Sequence, residues 1–243
     1  MTKAILFDLD GTLLDTIADI ADSANFALSS LGYPTHATEK YKSFVGNGVD
    51  TLVRRILPEE SRTPQNLDAV KRVYLVRYGQ HSLDTTAPYD GIVDLLDELA
   101  RAGQKLAVVS NKNDDVAKST VTYFFGSDRF DYVAGALAGT PLKPDPVAAL
   151  RAMENMKVSP EECFFVGDTS VDMLTGKNAG LHYGRRHLGL PRARRAGTER
   201  RRPHHRRPPR VARPALITKN RRGAPMRPPA SPRVSLLVQR SIS

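Results

Sequence analysis

Ala4-Ile5-Leu6-Phe7-Asp8-Leu9-Asp10-Gly11-Thr12 is the run whose reading decides the fold. Its first four residues are apolar and read as a buried strand, with two carboxylates two positions apart at the C-terminal end. Glycine and threonine then turn the chain away. In an open α/β sheet, ligands bind in the crevice at the carboxyl ends of the strands. Acids placed this close together raise the local negative potential, which calls for a divalent cation and invites phosphate chemistry.

Downstream, Asp15 or Thr16 is placed to cap a helix whose apolar positions Ile17, Ile20, Ala24, Ala27, Leu28 and Leu31 recur at three- and four-residue steps. Gly32 ends it. Further helical patterns at about 38–44, 48–57 and 66–82 are joined by Gly46-Asn47-Gly48 and a turn region from Pro58 to Pro64. No strand pattern interrupts them. From Pro88 the rhythm changes to alternation: helix from Gly91 to Ala102, strand from Lys105 to Ser110, helix from Asp114 to Phe125. A short strand from Tyr132 to Gly135 follows, then a helix from Pro146 to Met156, a strand from Cys163 to Gly167 and a helix from Val171 to Asn178. Apolar strands alternating with helices predict a parallel, Rossmann-like sheet covered on both faces, which the first strand joins. The expected organisation is an α/β core of 1–14 and 86–184, an inserted all-helical domain over 15–85, and an Arg/Pro-rich tail over 185–243.

The net charge of +10 hides two chemically different segments. Residues 1–184 hold 18 basic and 25 acidic side chains, whereas residues 185–243 hold 17 Arg and one Lys against one acid, Glu199. The start of the chain lacks a cationic segment followed by an apolar run, so a secretory signal is not expected. No apolar stretch approaches the roughly 18 residues of a membrane span. Cys163 is the single cysteine and has no partner for an internal disulfide, which fits a reducing, cytoplasmic setting.

Four separated stretches carry chemistry: Asp8-Leu9-Asp10-Gly11-Thr12, Val108-Val109-Ser110-Asn111-Lys112, Leu142-Lys143-Pro144-Asp145-Pro146, and Phe165-Val166-Gly167-Asp168-Thr169-Ser170-Val171-Asp172. Taken singly, each has a plainer reading, Asp10-Gly11 that of strand-to-turn punctuation. Ser110-Asn111 is a helix cap, Lys143 a solvated surface lysine, and Asp168 and Asp172 acids favoured by a helix dipole. His36, His81 and His182 show no metal-ligand spacing. Taken together and in order, the four stretches over residues 3–183 resemble the haloacid dehalogenase superfamily of phosphohydrolases.

That resemblance implies a role for each residue. Asp8 would attack phosphorus and form an aspartyl-phosphate, and Asp10 would protonate the leaving oxygen and then deprotonate a water. Mg²⁺ would be held by the Asp8 carboxylate, the Asp10 backbone carbonyl and Asp168, with Asp172 and Thr12 supporting that site. Ser110, the Asn111 amide and Lys143 would bind the phosphoryl oxygens. A carboxylate at position 10 sets the chain apart from the superfamily's dehalogenases and P-type ATPases. The helical insertion falls where this superfamily places a cap that closes over the site and selects the substrate.

Ser43-Phe44-Val45-Gly46-Asn47-Gly48-Val49, with Leu52 to Leu57 after it, is similar to the phosphoglycolate phosphatase branch. The resemblance therefore implies a small phosphorylated metabolite such as 2-phosphoglycolate as substrate. Lys42, Asn47 and Arg54 or Arg55 are the cap's candidate substrate contacts; Arg54 and Arg55 equally suit a solvated helix face. Beta-phosphoglucomutases and pyrophosphatases share this cap type and stay open as alternatives.

The tail admits two readings. An Arg-rich segment neutralises phosphates without a fold, which suits non-specific nucleic-acid binding, and in the extreme a non-catalytic basic protein. Against this, Arg outnumbers Lys 17 to 1 there but stands at 8 to 10 before it, as expected of a GC-rich gene read out of frame. The change also falls inside a fold element rather than after one. A frameshift near residue 183 accounts for both, with the segment after it disordered by composition. On that reading the strand the superfamily places beside Cys163 to Gly167 is lost. Phe164-Phe165-Val166 is then expected as an exposed apolar edge, with stability and activity reduced.

Overall fold

The computed structural model describes residues 2–185, Arg185 by its backbone alone. Strand β1 (Ala4–Phe7) is apolar throughout because both its faces are covered. Ala4 and Leu6 pack with Val109, Met153 and Phe165 on one face, while Phe7 packs with Leu96, Val108 and Val121 on the other. After Asp8 the chain turns tightly: the Leu9 carbonyl accepts from the amides of Leu13 and Leu14, each at 3.0 Å. This turn leads into the two-residue β2 (Leu14–Asp15).

Four helices follow: α1 (Ile17–Ser30), α2 (Tyr41–Phe44), α3 (Val49–Ile56) and α4 (Pro64–His81), with short 3-10 turns at Thr38–Lys40 and Glu59–Ser61. They enclose a core of their own, in which Ile20, Leu28, Tyr41, Leu52, Ile56 and Val70 are buried. Helix α4 starts two residues before its apolar pattern does. Thr63 accepts a cap hydrogen bond from the Asn66 amide, and proline suits the first helical position.

The chain returns through β3 (Ala87–Pro88), which pairs antiparallel with β2. The order is then α5 (Ile92–Arg101), β4 (Lys105–Asn113), α6 (Asp114–Phe125), β5 (Tyr132–Ala136), α7 (Val147–Met156), β6 (Cys163–Gly167), α8 (Ser170–Asn178) and β7 (His182–Arg185). The main sheet is parallel, in the order β5-β4-β1-β6-β7, so the fold is the expected α/β one. Strand β4 runs three residues beyond Ser110, and its register against β5 shifts between Val109 and Asn113. Irregularities of this kind re-aim side chains at strand ends. No described helix is long and apolar enough to cross a membrane.

The structure corrects one expectation. The edge of β6 is not bare: β7 pairs with it in parallel, Phe164 opposite His182 and Gly167 opposite Arg185. Phe165 is fully buried, and Phe164 and Val166 are half-buried. Strand pairing uses backbone groups, so four residues with no apolar alternation suffice once Gly180 has turned the chain out of α8. The readings of the segment from 185 onward as a frameshifted, disordered or nucleic-acid-binding tail concern residues outside those described, apart from the backbone of Arg185.

Candidate active site

Strands β4, β1 and β6 are neighbours, so one crevice receives Asp8 and Asp168 from just past the ends of β1 and β6, and Ser110 from β4 three residues before its end. Asp8 is fixed at both ends: its amide donates to the Val166 carbonyl at 2.9 Å, and its Oδ1 accepts from the Leu9 amide at 2.8 Å. Between Asp8 and Asp172 lies the Lys143 ammonium, 2.8 Å from one carboxylate and 2.7 Å from the other. Lys143 is 4% exposed and therefore no solvated surface lysine.

The Asn111 side chain holds Lys143 from behind. Its Oδ1 accepts from the Lys143 amide at 2.8 Å, and its Nδ2 donates to the Lys143 carbonyl at 3.0 Å. The same Nδ2 donates to the Gly46 carbonyl at 3.0 Å, tying the loop between α2 and α3 to the crevice. Ser110 is buried beside it, its hydroxyl oxygen accepting from the Lys112 amide.

Asp8, Asp168 and Asp172 bring carboxylate oxygens within 4.8 Å of one another. Asp172 belongs to this group because it opens α8 in a capping box, its Oδ2 accepting from the Thr169 amide and hydroxyl. Thr12 donates from its hydroxyl to Asp168 at 3.0 Å. Gly11, at φ +84°, makes the approach of Asp168 possible: a Cβ there would stand 2.6 Å from the Asp168 carboxylate. An all-oxygen set of carboxylates, with a glycine cradle beside it, fits a hard divalent cation.

Crowding sets the charge states. Burial, helped by the negative Asp172 and Asp10 and opposed by Lys143, pushes Asp8 up to about 7. Desolvation and the charge of Asp172 also raise Asp168. Asp172 is desolvated too, but Lys143 and the Thr169 donors hold it below the ordinary carboxylate range. Burial pulls the pKa of Lys143 down, but the charges and hydrogen bonds of Asp8 and Asp172 outweigh it and hold it above the ordinary value.

The Asp10 carboxylate points elsewhere. Lys112 Nζ donates to its two oxygens at 2.9 and 3.2 Å and to Tyr78 Oη of α4 at 2.6 Å. Of the insertion's candidates, Asn47 lies half-buried in the loop tied to Asn111. Lys42 and Arg54 are exposed and make no hydrogen bond or ion pair with the described residues of the crevice. Arg55 donates to the carbonyls of Ser43 and Phe44 and so braces the insertion. Lys112 and Tyr78 had no assigned place in the sequence reading. Lys112 sat next to the Ser110-Asn111 pair, and the i, i+4 spacing of Tyr74 and Tyr78 was the available signal for α4.

The sequence model of the haloacid dehalogenase-like hydrolases matches residues 5–184. A phosphoglycolate phosphatase of Thiobacillus denitrificans is 34% identical over 184 residues, spanning 73% of this chain and 80% of that protein. One from Vibrio parahaemolyticus is 35% identical over 195 residues, spanning 76% and 86%. A crystal structure from Lactobacillus delbrueckii subsp. bulgaricus, described as a candidate phosphoglycolate phosphatase, superposes with a TM-score of 0.72 at 30% identity. It covers 76% of this chain and 86% of its own.

Proposed function

Because the chain belongs to the haloacid dehalogenase-like hydrolases, we propose that it is a cytoplasmic, Mg²⁺-dependent phosphatase acting on a small phosphoester, 2-phosphoglycolate foremost. The observation that carries this reading is the buried Lys143 ammonium wedged between Asp8 and Asp172. A desolvated cation beside a fixed carboxylate at the strand ends is what an attacking nucleophile and an incoming phosphoryl group both require. The identity to phosphoglycolate phosphatases supports the choice of ester.

Asp8 Oδ attacks phosphorus, and the ester oxygen departs with a proton from Asp10, leaving an aspartyl-phosphate. Asp10, now ionised, takes a proton from a water that attacks the phosphoryl group; phosphate leaves and Asp8 is restored. The Ser110 hydroxyl, the Asn111 amide and Lys143 stabilise the charge on the transferring oxygens. Mg²⁺ would be held by Asp8 and Asp168 with the Asp10 carbonyl, with Asp172 and Thr12 bracing them, and when bound it neutralises phosphoryl charge. The helical insertion, residues 15–85, serves as the cap, with its Gly46-Asn47-Gly48 loop facing the substrate.

The test is phosphate release from a panel of small phosphoesters with Mg²⁺. Phosphoglycolate is expected to give the highest kcat/KM. Chelation by EDTA is expected to abolish turnover, and Asp8→Asn to lower it by about 10⁴-fold or more while the fold persists. Turnover that survives Asp8→Asn would remove this reading.

A further inference from the structure

Lys112 has no part in that mechanism, yet its side chain is 6% exposed. An ammonium taken out of water needs acceptors for its three protons. Two are the Asp10 carboxylate oxygens at 2.9 and 3.2 Å, and the third is Tyr78 Oη at 2.6 Å. The Tyr78 ring also lies 4.7 Å from Nζ and stacks on Tyr74, both tyrosines coming from α4 of the insertion. The Lys112 amide meanwhile donates to the Ser110 hydroxyl oxygen. One residue thus touches the phosphate-binding strand end, the Asp10 turn and the cap.

Asp10 itself has little else to orient it. Its carboxylate makes no other hydrogen bond to a described side chain, and Gly11 follows it at positive φ. A group that gives a proton at one point in space and later takes one there depends on being held in place. We propose that Lys112 is a positioning residue for Asp10, and that Tyr78 makes this positioning depend on the cap being shut. The proposal rests on the phosphatase reading, in which Asp10 moves the leaving group's proton. With α4 withdrawn, Lys112 loses an acceptor and Asp10 its orientation, so the acid/base is set when water is excluded.

Three variants and two readouts test it, with thermal midpoints taken to confirm folding. Lys112→Met is expected to lower kcat about 100-fold with KM within about threefold, because orientation acts on the chemical step. Lys112→Arg, which can still fork onto a carboxylate, recovers about tenfold of that loss. Tyr78→Phe keeps the ring and its stacking and lowers kcat by about tenfold. Independently of turnover, acetic anhydride labelling read by mass spectrometry is expected to find Lys112 about tenfold slower to react than exposed Lys42, and faster in Tyr78→Phe.

A rise in KM with kcat unchanged would assign Lys112 to the substrate's own carboxylate and overturn the proposal. So would labelling of Lys112 at the rate of Lys42, or normal turnover in both Lys112→Met and Tyr78→Phe. An unmodified chain that releases phosphate from no ester would remove the phosphatase reading and this proposal together.

Discussion

Gly167 ends β6 without a side chain, and the space a Cβ would occupy is filled by Asp172, whose own Cβ and Cγ would stand 2.3 Å away. That void is what lets the Asp172 carboxylate reach Lys143 and lower its own pKa below the carboxylate norm despite burial. Gly167→Ala therefore displaces Asp172 from the ammonium. Denaturant titration is expected to show a loss of about 1–3 kcal/mol from the forced shift. The same variant is expected to lose about 100-fold in kcat/KM, since Lys143 would be left with one partner and a new position. Retained turnover would mean that Asp172 does not hold Lys143 where the reaction needs it. That Lys143 belongs to the crevice was legible in Lys143-Pro144-Asp145 through its resemblance alone. Its burial was not, because burial is set by Asp8 and Asp172, 135 and 29 residues away.

Among the elements, the passage into and out of the helical insertion is held by one carboxylate. Asp19, in the first turn of α1, is 2% exposed. It accepts from the Thr85 and Thr86 amides and from both their hydroxyls, just before β3. Burial opposes its charge, but those donors hold its pKa below the ordinary value. Asp19→Asn keeps one acceptor oxygen and turns an NH₂ toward donors, a cost of about 1–3 kcal/mol. The sign in pH follows: with the folded pKa below the unfolded one, the stabilisation is fully present above about pH 4 and is lost as pH falls through the folded value. The gap in thermal midpoint between the unmodified chain and Asp19→Asn should accordingly narrow below about pH 4. A gap that stays constant down to pH 2 would assign the stabilisation to packing rather than charge. No pattern around Asp19 announces this latch, since Thr85 and Thr86 read as loop residues and meet Asp19 across 66 and 67 positions of chain.

At the scale of the molecule, the described core is divided. Ile56 and Leu52 belong to the apolar cluster inside the helical insertion, while Phe165 and Leu6 belong to one cluster on the sheet and Val108 to another. Ile56→Ala, at a site 1% exposed, should cost about 2–5 kcal/mol. Hydrogen exchange is expected to find the loss of protection in α1, α3 and α4, with the amides of β1 and β4 retaining theirs. Equal loss everywhere would make the insertion and the sheet one cooperative unit.

The sequence by itself determined the alternation of the longer strands and helices, the parallel sheet, and the places of Asp8 and Asp168 just past strand ends. These depend on period, turn residues and acids placed locally, all of which a linear reading can detect. The short β2 and β3 and the run of β4 beyond Ser110 were not in it. It misjudged the sheet edge, because β7 pairs through backbone groups that side-chain pattern does not report. Tertiary structure alone decided that Asp172 pairs with Lys143, that Asn111 clamps Lys143 with its side chain, and that the Asp10 carboxylate is held by Lys112, which also bonds Tyr78. Each of these is a desolvated polar contact between distant segments. The partner of a buried charge is fixed by which strand ends and helix faces the packed core brings within about 3 Å, and that is a property of the fold rather than of the neighbouring residues.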